Sequence, residues 1–141
     1  MFVTAVFGKL NIVTGEMTFI NAGHESILIF DQNKNYDYIK SAMPPIGIIK
    51  YFTESMVKST TINIKDKSLV VYTDGVTEGY LKNGKELGAE GVQDIINNMS
   101  NITPKSIVDS IEKELNWGAE KLRDDITCMA INIDNTELIK K

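Results

Sequence analysis

Cysteine and histidine are nearly absent: Cys128 and His24 are the only residues of their types among 141. A lone cysteine excludes an intrachain disulfide, and a structural zinc site, which takes about four nitrogen or sulfur donors, is excluded with it. Lys and Arg number 15 against 19 Asp and Glu, a net charge of −4. No basic cluster is present to track phosphates, so nucleic acid is not an expected partner. Long apolar runs are also lacking, since residues 27–30 and 69–72 fall far short of the ~20 that span a bilayer. The N-terminus has no basic segment leading into an apolar one. No membrane insertion is expected, and the chain reads as cytoplasmic. Proline occurs three times, and the adjacent Pro44 and Pro45 remove two ladder donors, which makes residues 43–47 a loop. What is present, 43% apolar and 24% charged residues, suits one globular domain that buries roughly two thirds of its unfolded surface.

The first third reads as strands. Residues 2–13 are apolar or β-branched apart from Lys9 and Asn11, Thr14-Gly15-Glu16 supplies a turn, and residues 17–21 resume the pattern, which predicts a hairpin. A second hairpin is predicted from the apolar run 26–30, turn chemistry over 31–35 and a return over 36–40. Strand character then returns over 52–64, and after the charged turn Lys65-Asp66-Lys67 a buried strand over 68–73 ends at Asp74-Gly75. Val92, Ile95, Ile96 and Met99 recur at helical spacing within 86–99. Thr103 before Pro104 signals the start of a second helix carrying Ile107, Val108, Ile111 and Leu115 on one face, with a stop at Gly118. A last strand spans 126–133, with Met129, Ile131 and Ile133 alternating against Cys128, Ala130 and Asn132. Hairpin-joined strands segregated from helices predict an α+β fold, an antiparallel β-sandwich flanked by helices, over residues 1–134. Residues 135–141 read as a C-terminal tail.

Two places join an acidic residue to the end of an apolar strand: Thr73-Asp74-Gly75-Val76-Thr77-Glu78 and Asp124-Asp125-Ile126-Thr127. Gly75 permits a sharp turn and a close approach to a ligand. Strand side chains alternate faces, so Asp124 and Asp125 are expected to have different roles. Each motif also has a structural reading, since Asp-Gly is a common turn and an Asp pair is a solvated edge or a cap. Carboxylates brought together without His or Cys suit a hard cation such as magnesium or manganese. His24, after Asn21-Ala22-Gly23, is a candidate general acid or a hydrogen-bonded structural residue. Glu78 either shares a helical turn with Asp74 or serves the helix dipole. Cys128 lies inside an alternating strand with no nearby base and reads as core. No phosphate-cradling loop, dinucleotide motif or serine nucleophile elbow is present, so covalent catalysis is unsupported.

Taken in order, Thr4-Ala5, the 8–15 hairpin, Asn21-Ala22-Gly23-His24, Pro45-Ile46-Gly47, 72–78, 84–88 and Asp124-Asp125-Ile126-Thr127 resemble the bacterial branch of the metal-dependent protein phosphatase (protein phosphatase 2C) family. That branch includes stage II sporulation protein E and the phosphatases that regulate anti-sigma-factor antagonists. The resemblance implies a β-sandwich with Mn2+ or Mg2+ held between the sheets by aspartates. It implies Asp74, in the Asp-Gly motif, and Asp124 as metal ligands, with Gly75 and Asp125 as their neighbours in the site. His24 then supports the site structurally. The implied activity is hydrolysis of a phosphoserine or phosphothreonine protein, such as an anti-sigma-factor antagonist, by metal-activated water without a phosphoenzyme.

One departure accompanies these matches. Family members carry, upstream of the segment matching residues 2–13, a strand and turn of the Gly-Gly-Asp-x-x-Asp type whose aspartate bridges the metals. This sequence begins after it, and neither Asp37 nor Asp66 stands in that context. The chain therefore reads as the C-terminal part of a catalytic domain, with sheet edge and apolar surface exposed and self-association expected. Two functions stay open: a phosphatase, and a non-catalytic module that binds a phosphoprotein without hydrolysing it.

Overall fold

The computed structural model describes residues 1–115 and 125–133. Its first hairpin joins β1 (Ala5–Leu10) to β2 (Glu16–Ala22), antiparallel, with Ala5 opposite Ala22 and Leu10 opposite Met17. Local chemistry makes the turn. Asn11 Oδ1 accepts from the backbone N–H groups of Val13 and Thr14 at 3.0 and 3.1 Å, and Gly15 takes φ 77°, in the left-handed region that glycine enters at little cost. β5 (Thr60–Asn63) pairs with the other side of β2 to complete a three-stranded sheet, β1-β2-β5.

The second hairpin, β3 (Ile27–Asp31) and β4 (Tyr36–Ile39), turns on one carboxylate. Asp31 Oδ1 accepts from the N–H groups of Asn33 and Asn35, and Oδ2 accepts from the Asn35 side chain. These bonds, the Asn35 side chain first, hold the Asp31 carboxyl below its ordinary range. β6 (Lys67–Tyr72) pairs with β3, and β7 (Cys128–Asn132) with β6, so a four-stranded antiparallel sheet runs β4-β3-β6-β7.

Strand alternation divides the core in two. Ile27, Ile29 and Leu69 face Met17 and Phe19 of the first sheet, with Ile64 beside them. Leu28, Phe30, Val70 and Tyr72 point the other way, onto the helices α2 (Gly88–Asn97) and α3 (Pro104–Glu114). The four-stranded sheet is thus buried on both faces. That is why residues 27–30 and 69–72 are unbroken apolar runs rather than alternating ones. β7 keeps the predicted alternation: Cys128 and Ala130 pack toward the helices, Ile131 toward the inter-sheet core. The result is the expected α+β sandwich of two antiparallel sheets, with helices, among the described residues, on one outer face.

The helices follow their sequence signals. Thr103 Oγ1 accepts from Ser106 N–H at 3.1 Å while Ser106 Oγ accepts from Thr103 N–H at 2.9 Å, a reciprocal cap in front of Pro104. Lys34, at φ 61°, closes the end of α2 by donating from Nζ to the carbonyls of Asn97 (2.6 Å) and Met99 (3.2 Å). A one-turn helix, α1 (Asp74–Thr77), follows β6 directly.

Two segments differ from the sequence expectation. The strand predicted over 52–64 is confined to Thr60–Asn63, preceded by a single 3-10 turn at Glu54–Met56. β-branched composition there expresses propensity, but a strand needs a partner, and only residues 60–63 reach β2. Lys67, expected in a turn, already belongs to β6, and the turn is made by Asp66 at φ 60°. The predicted helix stop at Gly118, Asp124 and the 135–141 tail lie outside the described residues. No helix among the described residues is long and apolar enough to cross a membrane.

Candidate functional site

The carboxyl end of β6 is where the two acidic motifs meet. Thr73 ties them together. Its N–H donates to Thr127 O at 3.0 Å, its Oγ1 donates to Asp125 O at 3.1 Å, and Thr127 N–H donates back to Thr73 Oγ1 at 3.0 Å. Gly75 then passes so near the segment before β7 that a Cβ would lie 2.5 Å from Asp125 O and 3.0 Å from its carbonyl carbon. Where the sequence suggested a close approach to a ligand at Gly75, the neighbour among the described residues is the Asp125 backbone. Its φ is not in the left-handed region, so glycine is required here for space, not for conformation.

Asp74 begins α1 with its carboxylate exposed. Oδ1 accepts from Gly75 N–H at 2.9 Å, and its carbonyl accepts from Glu78 N–H at 2.7 Å and from Thr77 Oγ1 at 3.1 Å. Glu78 caps this single turn and does not line the recess beside Asp74.

That recess, about 100 Å³, is lined by Thr4, Gly23, His24, Glu25, Thr73 and Asp74. The turn carrying His24 is firmly held. Buried Asn21 accepts from His24 N–H through Oδ1 at 2.9 Å and donates from Nδ2 to Glu25 O at 3.0 Å. Gly23 at φ 69° lies against Pro45, whose ring carbon would be 2.4 Å from an added Cβ, and its N–H donates to Ser41 Oγ at 2.7 Å. Thr4 Oγ1 and His24 Nδ1 are 3.5 Å apart. His24 and Asp74, more than forty residues apart in sequence, therefore share one recess.

Of the residues singled out from sequence, Asp74, Gly75 and the Asp125 backbone come together, His24 joins them across the recess, and Asp124 lies outside the described residues. Cys128 is distant in chemistry: burial pushes its thiol up to about 11, which keeps it protonated near neutrality. Glu25 and Thr4 were not anticipated as lining residues. Thr4 carried a signal only as part of the ordered motif set, and a glutamate after a turn carries none.

Among the described residues no three His, Cys, Asp or Glu side chains are grouped closely enough to enclose a metal ion. Of the described residues that line the recess, Asp74, Glu25, Thr4 and Thr73 carry side-chain oxygen donors and His24 alone carries side-chain nitrogen. A magnesium-like ion is held by one or two carboxylates and keeps several waters, so the donor chemistry fits such an ion.

The family model for Stage II sporulation protein E (SpoIIE) matches residues 1–134. Protein IcfG of Synechocystis sp. (strain ATCC 27184 / PCC 6803 / Kazusa) is 31% identical over 134 residues, 93% of this chain and 20% of that protein. Phosphoserine phosphatase RsbP of Bacillus subtilis (strain 168) is 28% identical over 78 residues, 55% of this chain and 19% of that protein. The manganese-presoaked phosphatase domain of the cell fate determinant SpoIIE from Bacillus subtilis superposes with a TM-score of 0.67 at 20% identity, covering 93% of this chain and 56% of that one. The chain thus spans about a fifth of the curated relatives and just over half of that phosphatase domain, whose fold it shares. By the match over residues 1–134, the chain belongs to the Stage II sporulation protein E family of protein phosphatase 2C-like domains.

Proposed function

We propose that this chain forms the C-terminal part of a metal-dependent serine/threonine protein phosphatase, acting in the cytoplasm on a regulatory phosphoprotein such as an anti-sigma-factor antagonist. The observation that carries this reading is the contact between the Asp125 backbone and Gly75, next to Asp74, held by the Thr73–Thr127 hydrogen bonds. We assign Asp74 and Asp124 as carboxylate ligands of Mn2+ or Mg2+, with Gly75 and Asp125 fixing the distance between the two strands.

When bound, the ion supplies positive charge opposite the phosphoryl oxygens and makes a water more acidic. The chain's own residues do the positioning. Gly75 N–H orients the Asp74 carboxylate, the Thr73–Thr127 exchange keeps the Asp125 segment beside it, and Asn21 holds the His24 turn on the facing side. His24 acts as a structural support whose ring faces the recess, with proton donation to a leaving alkoxide its secondary role.

Hydrolysis of a phosphoserine peptide by the 141-residue chain tests the reading. Phosphate release is expected with manganese, none with chelator, and a fall of about two orders of magnitude in Asp74→Asn, the scale on which single electrostatic groups act on a transition state. Turnover that persists in chelator or in Asp74→Asn would refute it. One alternative is a module that binds phosphoprotein without hydrolysing it. Phosphopeptide binding that survives Asp74→Asn, with no turnover, would select that alternative.

A further inference from the structure

Resting on the metal-dependent phosphatase reading above, we infer that Ser41 is a positioning residue, whose hydroxyl fixes the turn that carries His24 and Glu25 opposite Asp74. Ser41 stands in none of the motifs that carry the family resemblance, and it does not itself line the recess. Three backbone groups meet its Oγ. The Gly23 N–H donates to it at 2.7 Å, and the carbonyls of Asn21 and Met43 stand 2.9 and 2.7 Å away. A hydroxyl has one proton and two lone pairs, so Ser41 accepts from Gly23 while donating to one of the two carbonyls at a time. An aliphatic side chain could do neither.

These contacts hold the turn from two sides. On one side, buried Asn21 takes the His24 N–H and donates to Glu25 O. On the other, Gly23 at φ 69° lies against Pro45, three of whose ring atoms would be 2.4, 2.5 and 2.6 Å from an added Cβ. Ala22 also bridges to Met43. Proline fixes φ at both Pro44 and Pro45, so residues 41–45 back the turn as a stiff segment, and the Ser41 hydroxyl fastens the turn to it.

The facing wall has separate supports. Gly75 N–H holds the Asp74 carboxylate, and the Thr73–Thr127 exchange holds the strand end; none of those bonds involves residues 41–45. Loss of the Ser41 hydroxyl leaves the half-buried Gly23 N–H without its acceptor, a costly arrangement. The His24 turn should then shift to satisfy that group while Asp74 stays in place.

Proton NMR tests this, because His24 is the only histidine and its ring signals are unambiguous. Paramagnetic Mn2+ broadens such signals with a steep dependence on distance. The 141-residue chain is titrated with Mn2+, and occupancy is followed in parallel by electron paramagnetic resonance. Mn2+ should broaden the His24 ring signals in the parent. In Ser41→Ala, Mn2+ should bind with unchanged affinity, but the broadening at equal occupancy should change severalfold. Ser41→Thr, which keeps the hydroxyl, should restore the parent value. Ser41→Cys, with a weaker acceptor at the same place, is read in the same way if the alanine variant does not fold. Broadening in Ser41→Ala equal to the parent's, even with lower stability in urea, would overturn the positioning role and leave the phosphatase reading standing. So would a change that Ser41→Thr fails to reverse, since the hydroxyl would not be its cause. Loss of Mn2+ affinity in folded Ser41→Ala would overturn the separate support of the two walls and with it the inference. Absence of broadening in the folded parent would mean that the recess holds no ion, and would sink the metal-dependent reading and the positioning role together.

Discussion

Replacing Gly75 with alanine adds one methyl group where the opposing backbone already stands: the new Cβ would lie 2.5 Å from Asp125 O, 3.0 Å from Asp125 C and 3.4 Å from Ile126 Cα. These are main-chain atoms of the segment leading into β7, tied down by Thr73 and Thr127, so relief requires moving backbone rather than rotating a side chain. Overpacking of this kind costs about 1–3 kcal/mol. A 2.5 Å approach to main chain belongs at the upper end of that range, about 2–3 kcal/mol, and the intrinsic helix preference of alanine over glycine returns about 1 kcal/mol, which leaves a net loss of about 1–2 kcal/mol. With a urea m-value of about 2 kcal/mol/M for a small domain, the midpoint should fall by about 0.5–1 M, read by far-UV circular dichroism. Gly84 is the control. It has φ 79° and nothing within 4 Å of an added Cβ, so its alanine variant is penalised by conformation alone, at about 1–2 kcal/mol. Asparagine, which tolerates the left-handed region, should recover much of the loss at Gly84 and deepen it at Gly75. A Gly75→Ala protein as stable as the parent, or the same asparagine response at both positions, would refute the crowding argument and with it the assigned contact between the two acidic segments.

Other perturbations address separate elements. Thr103→Ala removes the acceptor for Ser106 N–H at the start of α3 and should cost about 1 kcal/mol in the same urea titration. Asp31 contributes stability that is fully present above its ordinary 3.8 and is lost as pH falls through its lowered folded value. Asp31→Asn should therefore lose less stability than the parent between pH 5 and acid, and a parallel acid limb for the two proteins would contradict the hydrogen-bond assignment. Burial that lifts Cys128 from 9.0 to about 11 cuts its thiolate fraction about a hundredfold below pH 9. Because the less acidic thiolate is also the better nucleophile, iodoacetamide labelling followed by mass spectrometry should be about tenfold slower in the native chain than in urea, before any further slowing from restricted access.

Much of the fold was legible because burial writes itself into the sequence twice. Residues 27–30 and 69–72 are continuous apolar runs since each strand is covered by a sheet on one side and helices on the other, and Thr103-Pro104 carries its own capping chemistry. The 52–59 stretch was not legible. Tyr51, Phe52 and Val57 look like strand residues, yet they are exposed, and nothing in local composition says whether a partner strand lies within reach.

The site was legible only as fragments, for a reason rooted in chain topology. Asp74 follows β6 and Asp125 precedes β7, fifty-one residues later in sequence, and what joins them is the antiparallel pairing of Tyr72 with Cys128. No local pattern encodes that register. It emerges from two faces of β7 being sorted between two cores, Cys128 and Ala130 toward the helices and Ile131 toward the sandwich. A slip of one residue would reverse every one of those side chains, and it would also carry the Asp125 carbonyl away from Thr73 Oγ1. The packing of the core therefore sets the spacing of the acidic strand ends, which is why Gly75 is demanded by sterics at a position that local sequence presents as an ordinary Asp-Gly turn.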